Sequence, residues 1–255
     1  MIKQLLLFIL LASVLSTISA APLVTNGLFA YYDFAGNASD TSGRTNNGTV
    51  YGATLTSDRF GAANSAYSFD GNDYILVNHS SDFNVTTGMT ISAWVKFNTN
   101  PYTFSQDRSY IVDKAGAWRL WYSANGEGSS EPDQMFYDVW DWQGANSTQG
   151  TWNTGPWYHV VSTFSNGQAK MYINGVLHST SSTKSSLYTN SNNIFIGKAG
   201  DASSYFNGTI DDLGFYNRAL SDTEITLIYQ QVPEAGSLWL ILAGISFLFY
   251  RTKKH

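Results

Sequence analysis

The chain has 255 residues, with 14 Lys and Arg against 19 Asp and Glu, no cysteine, and 22 Gly, 8 Trp, 16 Tyr and 15 Phe. The missing cysteines exclude disulfides, thiolate catalysis and Cys-ligated zinc. Setting aside Lys3, Arg251, Lys253 and Lys254 leaves 10 basic residues, and setting aside Glu234 leaves 18 acidic ones, so residues 21–231 carry −8 and suit no nucleic-acid backbone.

Residues 1–20 read as a signal peptide: Lys3, an apolar run from Leu5 to Leu15, then small residues ending near Ala20. The run is short for a membrane span. Residues 21–231 are expected to form one domain, because no linker or fixed-period repeat divides them. Eleven apolar or alternating runs then predict strands: GLFAYYDF, AYSF, DYILV, MTISAWVKF, SYIVDK, AWRLWYS, QMFYDVWDW, WYHVVSTF, AKMYING, NIFIGK and GTIDDLGFY. Asn166-Gly167 and Asn174-Gly175 predict tight hairpins, since both residue types accept positive φ. One helix is signalled at LSDTEITLIYQQ. Ser221 and Glu224 make a capping box there, and Ile225, Ile228 and Tyr229 share a face. The expected class is therefore all-β, a two-sheet sandwich with one short helix.

The tail, residues 232–255, holds Val232-Pro233-Glu234, an apolar stretch from Gly236 to Tyr250, and the basic residues Arg251, Lys253 and Lys254. That stretch is short of the ~20 residues of a comfortable span, and its positive end matches a cytoplasmic stop. The order resembles the PEP-CTERM sorting signal of Gram-negative bacteria that make exopolysaccharide, with Ala235 in place of the second proline. The resemblance implies an exosortase-type partner, an inner-membrane intermediate, and delivery to the cell surface or extracellular matrix. A plain C-terminal transmembrane helix is the alternative.

From Leu28 to about Tyr229, three ordered blocks resemble LamG-like domains of the concanavalin A-like lectin/glucanase class. They are LFAYYDF through DYILV, MTISAWVKF with GPWYHVVSTFSNGQAKMYINGVL, and FNGTIDDLGFYNRALSDTEI. The resemblance implies a jelly roll and no single activity. Glucanases of the class carry Glu-x-Asp-x-x-Glu on a strand, whereas the four glutamates here are Glu127 and Glu131 in a Gly/Ser/Pro loop, Glu224 in the helix cap and Glu234 in the tail. A non-catalytic protein is expected.

Two sites are expected. Calcium favours hard oxygens, and Asp33, Asn37 and Asp40 cluster around a turn. Alternation puts Asp212 in phase with Ile210, facing inward, so its charge needs either a calcium ion shared with Asp33 or an ion pair with Arg218. His79, His159 and His178 show no ligand spacing, and His159 reads as structural. Residues 110–157 hold Trp118, Trp121, Trp140, Trp142, Trp152 and Trp157. In QMFYDVWDW, Met135, Tyr137 and Val139 alternate toward the core, while Phe136, Asp138, Trp140 and Trp142 take the other face. With Arg119 and Trp121 of the neighbouring strand, that face suits a polysaccharide or glycoconjugate: rings stack on sugar faces and polar groups meet hydroxyls. Burial of these tryptophans between the sheets is the competing expectation, and Trp94 and Trp157 are expected in the core. A protein-binding adhesin and a glycan-active hydrolase or lyase are the alternative functions.

Overall fold

A computed structural model describes residues 22–100, 108–123, 133–139, 143–147, 150, 152–182, 186–200 and 204–231. The leader and the tail, including Val232, Pro233 and Glu234, lie outside the described residues, as do Trp140 and Trp142.

Strands β1 (Leu28–Tyr32), β3 (Thr54–Thr56), β4 (Ala66–Asp70), β6 (Gly88–Phe97), β11 (Trp157–Ser165), β12 (Gln168–Ile173), β13 (Val176–Ser182) and β15 (Asn207–Tyr216) form one sheet, here sheet A. Its order is β13-β12-β11-β6-β15-β4-β3, and β1 also pairs with β15. Sheet B contains β2 (Gly48–Tyr51), β5 (Tyr74–Val77), β7 (Arg108–Lys114), β8 (Trp118–Ser123), β9 (Gln134–Val139), β10 (Gln143–Asn146) and β14 (Ile194–Ile196). Its order is β10-β9-β8-β7-β14-β5-β2. All the pairings within these sheets are antiparallel, so the fold is the expected two-sheet jelly roll.

The core lies between the sheets and is built by alternation. Met89, Ile91, Ala93, Val95 and Phe97 of β6 face Leu120, Tyr122, Met135 and Tyr137 across it, all buried. Phe83 stands edge-on to Phe29 at 5.2 Å and to Phe215 at 5.5 Å, an arrangement that suits ring quadrupoles. Both Asn-Gly pairs make the expected turns. Asn166 and Gly167 have φ of 50° and 72°, and Asn174 and Gly175 have 52° and 76°.

Helix α1 (Asp222–Tyr229) starts at the expected capping box: Ser221 accepts from Glu224 N–H, and the Glu224 carboxylate accepts from Ser221 N–H at 2.8 Å. Its Ile225 packs with Leu220, Val161, Tyr172, Tyr216 and Val24 on the outer face of sheet A, with Ile228 alongside. Tyr229 stacks on Trp94 at 5.8 Å. The tryptophans divide accordingly. Trp118 and Trp152 are core residues; Trp94 is buried, but beneath the outer cover of sheet A rather than between the sheets. Trp157 is half-buried under the Lys96 ammonium.

Candidate ligand-binding face

On strands β8 and β9 every second side chain leaves the core, on β7 a bulge between Tyr110 and Val112 spaces Tyr110 and Asp113 by three, and the cross-strand register aligns these side chains in two rows. Tyr110, Trp121 and Phe136 pair across the strands as one row, and Asp113, Arg119 and Asp138 as the next. The Trp121 ring lies between Tyr110 at 5.9 Å and Phe136 at 4.6 Å, near-parallel to both. Its Nε1 donates to Asp138 Oδ2 at 2.7 Å, and Arg119 Nε lies 3.4 Å from the same oxygen. The Arg108 guanidinium sits 5.3 Å from the Trp121 ring. Burial pushes the Asp138 carboxyl above its usual range, while the bond from Trp121 and the charges of Arg119 and Arg108 pull it back.

The three described residues of the expected glycan site therefore do come together. Trp121, however, is only 3% exposed and Asp138 only 6%, which corrects the expectation of an open stacking ring. Flanked by rings on both sides and tied at its indole nitrogen, Trp121 is the underlay of the face. Phe136 and Arg119, both half-buried, are its outer members.

The expected calcium ligands are otherwise engaged. Asp40 accepts from the backbone N–H groups of Tyr31, Ser42 and Asn46, which ties down the loop after β1. Asn37 and Asp33 each accept from an N–H two residues on, as turn-formers do. Asp212 accepts from the Tyr31 hydroxyl at 2.5 Å and pairs with Arg59. Among the described residues no three His, Cys, Asp or Glu side chains gather closely enough to hold a metal ion by themselves.

The partner of Asp212 also differs from expectation. A bulge between Asp211 and Gly214 puts Asp212 at φ 45°, so Leu213 takes the inward position and Asp212 turns to Arg59 beside Asp211. Arg218 instead pairs with Glu224 at 2.6 Å. Arg59 Nη1 lies 2.8 Å from Asp211, and its guanidinium covers Trp94 at 4.7 Å. Burial raises the carboxyls of both aspartates, and Arg59 opposes that rise. His159 stacks on Trp94 at 5.0 Å, and its Nε2 lies 2.9 Å from Ser92 Oγ. Burial, with the Arg59 charge, lowers His159 to about 3. The ring is fully buried and its Nδ1 meets no carboxylate, so this Ser–His pair is structural, as expected of His159. Sequence reasoning missed Arg59, which sits in a loop with no local signal. It also missed Lys114, whose buried ammonium donates to Asn190 and Asn192 carbonyls, each at 2.8 Å.

Two antiparallel sheets, with a helix seated on the outer face of one and an aromatic, charged outer face on the other, define a two-sheet jelly roll. The family model of the concanavalin A-like lectin/glucanases superfamily, laminin G type 3, matches residues 69–226, and the chain belongs to this superfamily. No curated protein sequence matches the chain. Domain 4 of an extracellular arabinanase from Geobacillus stearothermophilus, solved in complex with arabinotriose, is similar at 20% identity and TM-score 0.62, over 80% of this chain and 98% of that one. The binding domain of Paraclostridial Mosquitocidal Protein 1 is similar at 16% identity and TM-score 0.64, over 80% of this chain and 52% of that one. Trypanosoma rangeli sialidase is similar at 20% identity and TM-score 0.57, over 82% of this chain but 33% of the enzyme. The fold is thus one used by binding domains and found within glycosidases alike.

Proposed function

We propose that this protein is an exported, non-catalytic carbohydrate-binding domain that reads an extracellular polysaccharide or glycoconjugate on the outer face of sheet B. The observation that carries this reading is the pair of rows there, Tyr110–Trp121–Phe136 beside Asp113–Arg119–Asp138. The outer face of an antiparallel sheet is ordinarily polar, and here the half-buried Phe136 and Arg119, held over the buried Tyr110, Trp121 and Asp138, set an apolar ring beside a charged group, which suits a ligand with apolar ring faces and hydroxyls. The arabinotriose named with the similar arabinanase domain supports a sugar ligand, and that domain is matched over nearly its whole length.

Residues 1–20 would direct export, and residues 232–255 would serve an exosortase-type enzyme, with a membrane-held intermediate before release to the surface or matrix. Intact mass of the protein recovered outside the cell tests this: loss of the tail near Val232 supports sorting, and a retained tail supports anchoring. The binding reading is tested by a glycan array with the full chain. Phe136→Ala should weaken the cognate glycan about tenfold, the value of one ring contact, with the melting temperature held. An array without a single binding glycan overturns the reading, and release of reducing ends from a bound polysaccharide replaces it with an enzyme.

A further inference from the structure

The same outer face of sheet B carries a second group of rings at the opposite edge. Tyr51 of β2 and Tyr74 of β5 are register partners, and their rings stack at 4.7 Å with 12° between planes. Val50 and Ile75 beside them face the core, so both tyrosines face out. Phe195 of β14, between the buried Ile194 and Ile196, adds a third ring 5.8 Å from Tyr74. Over this group stands Lys198. Its ammonium is 5.0 Å from the Tyr74 ring, 5.3 Å from Phe195 and 5.5 Å from Tyr205, and it has no carboxylate partner among the described residues.

The backbone that holds Lys198 is fixed from both sides. Gly197 N–H donates to Ile111 at 2.9 Å, Ala199 N–H to Ser204 at 2.8 Å, and Gly200 N–H to the Asp113 carboxylate at 2.6 Å. Gly197 has φ of 83°, and a Cβ there would come within 2.5 Å of Phe69, so the turn needs glycine. Ala199 packs on Tyr110 and Trp121, which joins this group to the rows described above. Tyr51 is 44% exposed, and Lys198 and Tyr74 are half-buried.

We infer that Tyr51, Tyr74 and Lys198 form a subsite for an acidic sugar, the ring resting against the tyrosines and the anionic substituent pairing with the Lys198 ammonium. This rests on the carbohydrate-binding reading and names the class of glycan. The chain is net negative, −5 overall, so an acidic polymer gains nothing from the general field and needs a local cation. A cation that aromatic rings shelter on one side is partly stripped of water, which strengthens pairing with an anion on the other.

The test is binding of the full chain to polygalacturonate, dextran sulfate and neutral dextran, with Lys198→Gln, Lys198→Arg and Tyr51→Ala compared at matched melting temperature. Binding of either acidic polymer that falls at least tenfold in Lys198→Gln and Tyr51→Ala, survives in Lys198→Arg and weakens with salt is the expected result. The polymer that responds tells a carboxylate from a sulfate ester. Acidic-polymer binding that Lys198→Gln leaves unchanged, or binding of dextran alone, overturns the acidic-sugar subsite while keeping the lectin reading. If neither these polymers nor an array glycan binds, both fall.

Discussion

Trp94 on the outside of sheet A and Trp121 on the outside of sheet B each belong to a cluster with an arginine and an aspartate: Arg59 covers Trp94 and pairs with Asp211, and Asp138 accepts from the Trp121 indole and pairs with Arg119. The surroundings differ. Trp94 lies under the Arg59 loop and against His159 and Tyr229 of α1, so the chain itself covers it. Among the described residues no helix lies over Trp121, whose neighbours are rings of the same sheet. A tryptophan, arginine and aspartate drawn together are therefore no signature of a ligand site. What separates the two faces, among the described residues, is the helix and the Arg59 loop that lie over Trp94, whereas on sheet B the half-buried Phe136 and Arg119 are the outer members.

The difference can be broken by substitution. Arg59→Ala should cost about 3–5 kcal/mol in urea unfolding near neutral pH, because it leaves Asp211 and Asp212 buried without their cation. Burial already raises both carboxyls and Arg59 holds them down, so the variant takes up protons more readily and its deficit should shrink as pH falls. A deficit that stays constant with pH would argue against a buried charge as its cause. His159 gives the next effect. Its native value of about 3 lies below the ordinary 6.5, so its share of stability is present at neutral pH and lost as pH falls from about 6.5 toward 3. The limb should slope by at most about 1.4 kcal/mol per pH unit, and His159→Gln should flatten it.

On sheet B the expected costs are smaller. Trp121→Phe keeps a ring between Tyr110 and Phe136 but removes the donor to Asp138, for about 1–2 kcal/mol and a further rise of the Asp138 carboxyl. A loss as large as that of Arg59→Ala would mean that this face also serves the fold first. Chelation closes the series. With Asp33, Asn37, Asp40 and Asp212 engaged as they are, EDTA should leave the melting temperature where it was.

The eleven expected strands all formed, and the four that the sequence did not signal, β2, β3, β10 and β13, are the edges of the two sheets. An edge strand has one neighbour and little to bury, so its residues need not alternate. VLHSTSS in β13 shows this, with exposed Val176 and Leu177 followed by Ser and Thr. Alternation did place Phe136 and Asp138 outward and Met135, Tyr137 and Val139 in the core, because β9 is regular and paired on both sides. It failed at Asp212, where a bulge shifts the phase by a residue that no local pattern announces. Exposure of Trp121 was equally illegible: period-two reasoning gives the side of a sheet, while the depth of a ring depends on neighbours distant in sequence.

The position of α1 has a consequence for handling the molecule. Gln231 lies just past a helix seated on sheet A, across the sandwich from the rings of sheet B. A tether joined at that point takes hold of the domain from behind. Tyr51, Phe136 and Lys198 then look outward from whatever holds the tether, as a palm does when the arm is fixed at the back of the hand.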